Sequence, residues 1–435
     1  MTKTTESPKT APGQMPPPRW QRIALAVTMF FITGVFGFLQ PFVALYVAAA
    51  GIDKAQFGLM TAIGTATALL VQPLLGKLSD RLDARRPLMV AAAIAAGCAY
   101  LAYRAADDFL SFTLLTALGV NGFQYLNSAG GVLVGRMVAT SAARGGGASY
   151  VRYRVWGSVG YVIVAMTAGS LVRSSIAGET ARADLDPVFT YGPLLFFIIG
   201  ALSLLVPDGR TPAAASAAHG DAATEAAAKA ADGDAARNRF RFLTAYFLYQ
   251  FGLYGASQFL PMFMAELGGA AWVPRMFAAG VVCEVLVMSQ VGRWTDRYGR
   301  RPALALAFLL MPLRLLLYIP ATSPLWVLMV QTLHGINFGV IGTIAVVFIN
   351  DTATNRDRGT AQAQLAASAG LGLSLGPLVC GLIAERFGIR AMFGAMSGVG
   401  VLAAILFLAY VRESHAGAEM PRHRLLRALA RPWLS

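Results

Sequence analysis

One short charged motif occurs twice in this chain, and each copy lies between two apolar stretches. Residues 76–86 read GKLSDRLDARR, and residues 292–301 read GRWTDRYGRR. Asp80 and Asp296 occupy the same place in the two copies and are separated by about half the chain. A duplicated charged loop between apolar segments indicates two similar membrane-embedded halves, an arrangement typical of transporters.

The composition also indicates a membrane protein. Hydrophobic residues make up 56% of the chain, charged residues make up 13%, and the mean hydropathy is +0.57. Soluble domains usually carry about 25% charged residues. The net charge of +14 lies in short loops between apolar runs, so it is interpreted as an orientation signal and no nucleic-acid partner is expected.

The sequence offers no pattern for a cofactor, a metal or an enzyme. Its three cysteines all lie in apolar stretches, and their odd number argues against a disulfide framework. Neither a Gly-x-x-x-x-Gly-Lys nucleotide loop nor a His-Glu-x-x-His metal site is present. We therefore expect no cofactor and no catalytic activity. The alternatives of a membrane enzyme or a sensor are disfavoured, since the loops are also too short to hold a signalling domain.

About twelve apolar stretches approach the ~20 residues that a membrane-spanning helix requires. The sequence therefore predicts an all-α membrane protein with twelve transmembrane helices. The predicted spans begin near Ile23, Ala55, Leu88, Phe109, Ala148, Val188, Phe242, Trp272, Ala303, Pro324, Thr360 and Ile389.

Lys and Arg residues predict the orientation, because they concentrate in cytoplasmic loops. Most of the 36 basic residues fall on the inner side if both termini are cytoplasmic. The opposite orientation would invert this distribution. We therefore predict a multi-pass protein of a bacterial inner membrane with both ends in the cytoplasm, with the lipid bilayer and a small-molecule substrate as partners, and functional as a monomer.

The two aspartates of the repeated motif suggest a gate. A helix C-terminus carries partial negative charge, so an aspartate there needs an offsetting partner. We predict that Asp80 docks on the start of the eleventh span and Asp296 on the start of the fifth when the inner face is closed. The alternative is that the motif supplies orientation charge alone. The candidate gating residues are Gly76, Asp80, Arg81, Arg85, Gly292, Asp296, Arg297 and Arg301.

Both copies of the motif resemble the signature loop of the major facilitator superfamily, and the resemblance extends from about Ile23 to Val411. It implies two six-helix bundles around a central cavity, with substrate bound near the membrane midplane. On this basis we predict five parts. They are a cytoplasmic tail (1–20), an N-terminal bundle (21–207), a cytoplasmic linker (208–240), a C-terminal bundle (241–412) and a basic cytoplasmic tail (413–435).

Three ionisable residues fall near the middle of their predicted spans. Glu284, Arg314 and His334 each lie ~15–18 Å from a span end at the helical rise of 1.5 Å per residue. Such residues are costly in a bilayer and are candidates for function. We predict that they form a network that exchanges a proton when substrate enters. The alternative is a static Glu284–Arg314 pair that fixes helix packing.

The segments Leu333–Gly339 and Arg154–Gly160 resemble proton-linked permeases for nucleosides and phenylpropionate and, more distantly, the lactose permease. This resemblance implies that Glu284, Arg314 and His334 act in substrate recognition and proton coupling, and that Arg154 binds substrate. Two departures argue against lactose-type sugar binding. Asn337 stands where the lactose permease has a proton-carrying glutamate, and the fourth span lacks the expected acid. Glu284 is then the expected proton site.

Other polar and aromatic side chains are candidates for lining the cavity, although helix packing explains each one equally well. Tyr246, Gln250 and Tyr254 recur every four residues and share a helix face. Arg154 and Arg314 weakly favour an anionic or zwitterionic solute. The remaining candidates are Gln40, Asn121, Gln124, Trp156 and Asn337.

These features predict a secondary active transporter, a proton-coupled symporter of a small organic solute such as an aromatic acid or nucleoside. The alternative is a proton-antiporting exporter of drugs or metabolites on the same fold. Many such exporters carry a Gly-Pro motif in the fifth span, where this chain has glycines but no proline. A similar string, Gly372–Pro377, lies in the eleventh span, so the sequence leaves export open.

Overall fold

The computed structural model consists of helices, and it contains no β-strand in the residues that it describes. Ten of its helices are long and apolar enough to cross a membrane, and Val155–Leu171 forms a shorter apolar helix. The predicted all-α membrane fold is therefore confirmed. The described residues are 19–82, 85–142, 150–172, 181–206, 225–354, 357–415 and 417, without the side chains of 19, 136–142, 150–154 and 225–232.

The first half of the chain supplies six helices. Helix α1 packs against α4, α5 and α6, while α3 packs against α4 and α6 and α2 packs against α4. Glycine allows the closest of these contacts, since a Cβ at Gly37 would lie 2.9 Å from the carbonyl oxygen of Tyr161. The helices are α1 (Arg19–Ala49), α2 (Lys54–Leu82), α3 (Arg85–Ala102), α4 (Phe109–Ala142), α5 (Tyr150–Leu171) and α6 (Arg182–Ser203).

The second half supplies eight helices, because two of its spans are interrupted. Residues Gln258 and Phe259 separate α7 from α8, and Thr332 and Leu333 separate α11 from α12. The helices are α7 (Glu225–Ser257), α8 (Leu260–Glu266), α9 (Val273–Tyr298), α10 (Arg300–Tyr318), α11 (Pro324–Gln331), α12 (His334–Asp351), α13 (Arg358–Phe387) and α14 (Ile389–Tyr410). With each interrupted helix counted once, the architecture is consistent with twelve predicted spans.

The last part of the predicted linker is helical. Helix α7 begins at Glu225, inside the range 208–240, and continues without interruption into the seventh span. Alanine-rich sequence has high helix propensity, which accounts for this extension. The first part of the linker and most of both predicted tails lie outside the described residues.

The two halves meet along α2–α13 and α5–α9. We call the face that carries both Asp-Arg loops (76–86 and 292–301) the motif face, and the other the opposite face. Near the opposite face the halves are in close contact: the backbone N–H of Lys54 donates to Glu385 at 2.9 Å, and its ammonium lies 3.7 Å from Glu266. A Cβ at Gly381 would lie 2.5 Å from the carbonyl oxygen of Lys54.

At the motif face the aspartate of each loop forms its ion pair within its own half. Asp80 pairs with Arg85 at 2.8 Å and Asp296 pairs with Arg300 at 2.6 Å, while both carboxylates remain about 70% exposed. A Cβ at Gly76 or at Gly292 would meet no atom within 4 Å. The molecule is therefore closed at the opposite face and open at the motif face.

In this open state no described residue at the start of α13 bonds to Asp80, and Gly359 there is exposed and has open space around it. The start of α5, the predicted partner of Asp296, has side chains outside the described set. Arg301 differs from the prediction: it is fully buried, and its guanidinium donates to the carbonyls of Val411 and Leu408 at 2.6 and 2.8 Å. It holds α10 against the end of α14 in this state.

Arg300 takes the position at the loop that the prediction gave to Arg301. Its guanidinium contacts Asp296 at 2.6 Å and Asp351 at 3.2 Å, so the second loop is tied to the end of α12. Arg81 and Arg297 are exposed, and Arg297 lies over the ring of Tyr298 at 5.3 Å.

Candidate substrate cavity

A cavity of about 420 Å³ lies between the two halves. This volume is within the range of about 300–1,000 Å³ for small-molecule sites. Helices α1, α2, α3, α4 and α5 of the first half line it together with α7, α9, α12 and α13 of the second. Apart from three tyrosines, its polar lining residues are Thr33, Gln40, Thr61, Thr65, Thr116, Gln124, Asn127, Ser158, Ser257, Gln258, Glu284 and His334.

Glu284 and His334 form an ionisable pair in the cavity wall. Nε2 of His334 lies 3.6 Å from Oε2 of Glu284, and both side chains are partly exposed to the cavity. The imidazole stacks on Phe338 at 4.1 Å. His334 is the first residue of α12, and a Cβ at the following Gly335 would lie 2.5 Å from the backbone of Cys283. Glycine thus allows α12 to approach α9 closely enough to bring the two groups together.

Arg314 lies elsewhere, inside the second half. It is fully buried and does not line the cavity. Its Nη2 donates to Oε1 of Gln331 at 2.8 Å, and its Nε donates to the hydroxyl of Tyr318 at 3.1 Å. Within the described part of the chain, no carboxylate forms an ion pair with it. The structure therefore does not bring the three expected residues together. Glu284 pairs with His334, whereas Arg314 is bonded to Gln331 and Tyr318 inside the second half.

Two predicted asparagines join helices to each other and do not line the cavity. Asn337 donates from Nδ2 to the carbonyl of Ala307 at 3.0 Å, linking α12 to α10. Asn121 donates to the hydroxyl of Thr67 at 3.0 Å, linking α4 to α2. Both were candidates for lining the cavity, but each lies on a side of its helix that faces a neighbouring helix.

Three further candidates also lie off the cavity, and one is not described. Gln250 donates to the hydroxyl of Tyr246 at 3.2 Å within α7, and neither residue lines the cavity. Trp156 is 49% exposed and likewise absent from the lining. The side chain of Arg154 lies outside the described set.

Of the candidate residues, Gln40, Gln124 and Tyr254 line the cavity. Gln40 of α1 donates from Nε2 to Oε1 of Gln258, at the end of α7, at 3.3 Å. This bond joins the two halves at the cavity wall. The amides therefore combine a contact between halves with hydrogen-bonding groups that a solute can use.

Sequence reasoning missed most of the aromatic wall. Phe36 and Phe123 stack at 4.8 Å, and Tyr161 lies 6.4 Å from Phe36. Phe277 and Phe338 line the cavity from the second half. In a chain with 10% aromatic residues, an aromatic side chain in a span gives no signal that separates a cavity wall from ordinary packing.

The sequence also matches a known protein family and known transporters. The MFS_1-like family matches residues 22–395. The maltose permease of Geobacillus stearothermophilus is 28% identical over 400 residues, covering 90% of this chain and 95% of the permease. The multidrug resistance efflux pump PmrA of Streptococcus pneumoniae serotype 4 (strain ATCC BAA-334 / TIGR4) is 30% identical over 164 residues, covering 36% of this chain and 40% of the pump.

A solved structure supports the fold over nearly the whole length. The crystal structure of the nucleoside transporter NupG superposes with a TM-score of 0.67 at 16% identity, covering 89% of this chain and 98% of NupG. At that identity the likeness concerns the fold alone. The family match covers most of the chain, and the predicted resemblance is confirmed. The chain belongs to the MFS_1-like family and is a major facilitator superfamily transporter, a multi-pass membrane protein and not an enzyme.

Proposed function

We propose that this transporter is a proton-coupled symporter of a small organic solute in a bacterial inner membrane. The observation that carries the proposal is the Glu284–His334 pair, 3.6 Å apart in the wall of the cavity between the halves. An intramembrane carboxylate is costly when charged. Protonation of Glu284 together with solute binding would remove that charge and favour the change of state that carries both inward.

The chemistry of the lining supports a ring-shaped solute with several hydrogen-bonding groups. Aromatic residues such as Phe36 and Tyr161 offer flat surfaces, and Gln40, Gln124 and Gln258 offer amides. The described lining residues include no Lys or Arg. Because Arg314 does not line the cavity, it gives no reason to expect an anionic solute. A nucleoside, a sugar or an uncharged aromatic compound fits this lining better than an anion.

Transport would proceed by alternating access, with the motif face in the cytoplasm. In the present state the cavity is open toward the motif face, and contacts such as Lys54–Glu385 close the opposite face. The reverse state would separate those contacts and bring the motif-face ends together. Asp80 and Asp296 would then dock on the opposing helix starts and stabilise that state.

Replacing Asp80 by Asn should lower transport about tenfold without lowering protein abundance. In the present state the Asp80–Arg85 pair is on the surface, where such pairs contribute about 0–1 kcal/mol, so folding should be little affected. A large loss would therefore report a contact made in the other state. Uptake rates normalised to membrane abundance measure the effect. Asp234→Asn, an exposed aspartate 3.8 Å from Arg237, is the control, and equal activity in both variants would contradict the gate.

Reconstituted protein tests the proposed function directly. Proteoliposomes with an alkaline interior should accumulate a labelled solute from a panel of nucleosides, sugars and aromatic acids. A gradient of about one pH unit supports about tenfold accumulation if one proton accompanies each solute. A protonophore should abolish the accumulation. Equilibration without accumulation at any gradient would contradict proton coupling and indicate a facilitator.

Export remains the second candidate because of one specific observation. PmrA, a multidrug resistance efflux pump, is 30% identical to this chain over a segment that covers 36% of it. Antiport predicts the opposite sign in the same assay: an acidic interior, not an alkaline one, would then drive solute into the vesicles. The two gradient directions therefore separate the candidates in a single preparation.

A further inference from the structure

A segment at the opposite face resembles the two Asp-Arg loops, with glutamate in place of aspartate. Residues 381–390 read GLIAERFGIR, and residues 292–301 read GRWTDRYGRR. Both begin with glycine, carry an acid and an arginine at the fifth and sixth places, and continue with an aromatic residue, a second glycine and a final arginine. We call residues 381–390 the Glu-Arg segment. It joins α13 to α14, as the second Asp-Arg loop joins α9 to α10.

The two segments also share their backbone geometry. Gly299 and Gly388 have positive φ angles of 93° and 84°, and their ψ angles are 168° and 161°. Few residues other than glycine adopt such angles. The N–H of each glycine donates at 3.0 Å to the carbonyl four residues earlier, at the end of the preceding helix. Each glycine thus ends one helix and begins the next in the same way.

The final arginines make equivalent contacts at the two ends of one helix pair. Arg301, at the start of α10, donates to two carbonyls at the end of α14. Arg390, at the start of α14, donates to the carbonyls of Ile319 and Ala321 at the end of α10, the latter at 2.7 Å. The Glu-Arg segment is therefore the structural counterpart of the second Asp-Arg loop, at the other face of the molecule.

The acids of these segments differ in what they contact. Glu385 accepts a hydrogen bond from the backbone N–H of Lys54, the first residue of α2, at 2.9 Å. Helix α2 belongs to the other half of the molecule. Asp80 and Asp296 instead form their ion pairs within their own halves. The acid that bridges the halves thus lies at the closed face, and the two that do not lie at the open face.

The start of α2 favours a carboxylate for a physical reason. The first N–H groups of a helix have no acceptor within the helix, and they carry partial positive charge. The side chain of Asp53, just before the helix, accepts from the N–H of Gln56 at 2.7 Å. The N–H of Lys54 donates instead to Glu385. A carboxylate at this place gains a charge-assisted hydrogen bond and the attraction of the helix dipole.

The first glycines of the segments show the same contrast between the faces. A Cβ at Gly381 would lie 2.5 Å from the carbonyl oxygen of Lys54 and 3.0 Å from the Cα of Gly58. A Cβ at Gly76 or at Gly292 would meet no atom within 4 Å. At the closed face, the glycine thus allows α13 to touch the start of α2. At the open face, the equivalent glycines have open space around them.

We propose that the Glu-Arg segment is the gating loop of the opposite face and that Glu385 is its docking residue. Its carboxylate on the start of α2 stabilises the present state and leaves α2 when that face opens. Glu385 is a positioning residue, because it acts through the contact between α2 and α13 and not on the solute. The proposal rests on the proposed alternating access, but not on proton coupling or on the identity of the solute.

Accessibility of one cavity cysteine from both faces tests the proposal. The full-length protein carries Gln258→Cys, with Cys98, Cys283 and Cys380 replaced by Ala. Intact cells and inverted membrane vesicles expose the two faces in turn to a membrane-impermeant maleimide. Glu385→Ala should increase labelling from the opposite face about fivefold and decrease it from the motif face, because the balance of states shifts. Increased labelling from both faces would indicate a loosened fold and overturn the proposal.

Variants at Lys54 test which atoms form the contact. Lys54→Pro removes the backbone N–H at the first helical position, where proline is tolerated, whereas Lys54→Ala removes only the ammonium group. The proline variant should reproduce the effect of Glu385→Ala, and the alanine variant should not. Equal labelling in the two Lys54 variants would overturn docking on the helix start. Glu266→Gln is the control for charge alone, because Glu266 lies 3.7 Å from the same ammonium, and its labelling should stay within about twofold of the wild type.

Gly58→Ala separates failure of this proposal from failure of the transport cycle. Increased labelling from the opposite face in Gly58→Ala but not in Glu385→Ala would refute the role of Glu385 and leave alternating access in place. Unchanged labelling in both variants would refute the proposed alternating access and the gating role with it. Labelling needs neither solute nor a pH gradient, so its result is valid whether or not the protein is a proton symporter.

Discussion

Glu284→Gln should abolish gradient-driven accumulation while leaving solute exchange in place. Glutamine keeps the size of the side chain and resembles the protonated carboxyl, but it cannot release a proton. The variant should therefore bind solute and carry it in both directions, yet draw no energy from a pH gradient. We expect accumulation in proteoliposomes to fall at least tenfold, to the level set by equilibration. Counterflow of labelled solute against unlabelled solute should stay within about threefold of the wild type.

The control for this experiment is Glu266→Gln. Glu266 is also a carboxylate in the second half, but it lies at the opposite face, 3.7 Å from Lys54, and is 47% exposed. Losing a surface ion pair changes stability by about 0–1 kcal/mol, so accumulation should be retained. Accumulation that survives Glu284→Gln would exclude Glu284 as the proton site. Loss of exchange as well would show that Glu284 is needed for binding or movement, not specifically for coupling.

Gly58→Ala should lower transport at least tenfold by preventing closure of the opposite face. A Cβ at Gly58 of α2 would overlap the carbonyl oxygen of Pro377 in α13 and lie 3.0 Å from the Cα of Gly381. Backbone atoms cannot move aside as a flexible side chain can, so the two helices would have to separate. Because the present state depends on that contact, the variant should populate states that are open at the opposite face.

Thiol labelling from the opposite face measures this shift. A cysteine introduced in place of Gln258 lies at the cavity wall, and the native Cys98, Cys283 and Cys380 are replaced by Ala. Gly58→Ala should increase its labelling by a membrane-impermeant maleimide at least fivefold. Gly342→Ala is the matched control, since a Cβ there meets no atom within 4 Å. Similar labelling in the two variants would contradict a closing role for the α2–α13 contact.

The ionisable groups show how far sequence reasoning reached. The depth of a residue in the membrane could be predicted from its position along a span, because the helical rise is fixed at 1.5 Å per residue. Glu284 and His334 were placed at similar depth, and they do meet, at 3.6 Å. Arg314 was placed at the same depth but lies behind the cavity wall, bonded to Gln331 and Tyr318. Depth alone does not specify which side of a helix faces the cavity.

Helix rotation was hard to predict for a physical reason. In a soluble helix the polar face identifies the solvent side, but in a membrane the lipid-facing and core-facing sides are both apolar. The pattern of Tyr246, Gln250 and Tyr254 defined a helix face, yet only Tyr254 lines the cavity. Asn337 and Asn121 form hydrogen bonds to neighbouring helices. In the sequence, an asparagine that bonds a helix looks the same as one that bonds a solute.

By itself, the sequence determined that this protein is a duplicated all-α membrane transporter, because apolar length and repeated charged loops depend on local composition. It also identified Glu284 and His334 as candidates, since ionisable residues in apolar spans are rare. Only the tertiary structure decided which helix faces meet, and with them the aromatic wall of the cavity, the burial of Arg314 and Arg301, and the state open at the motif face. Those features arise from contacts between helices distant in the chain, which no local pattern encodes.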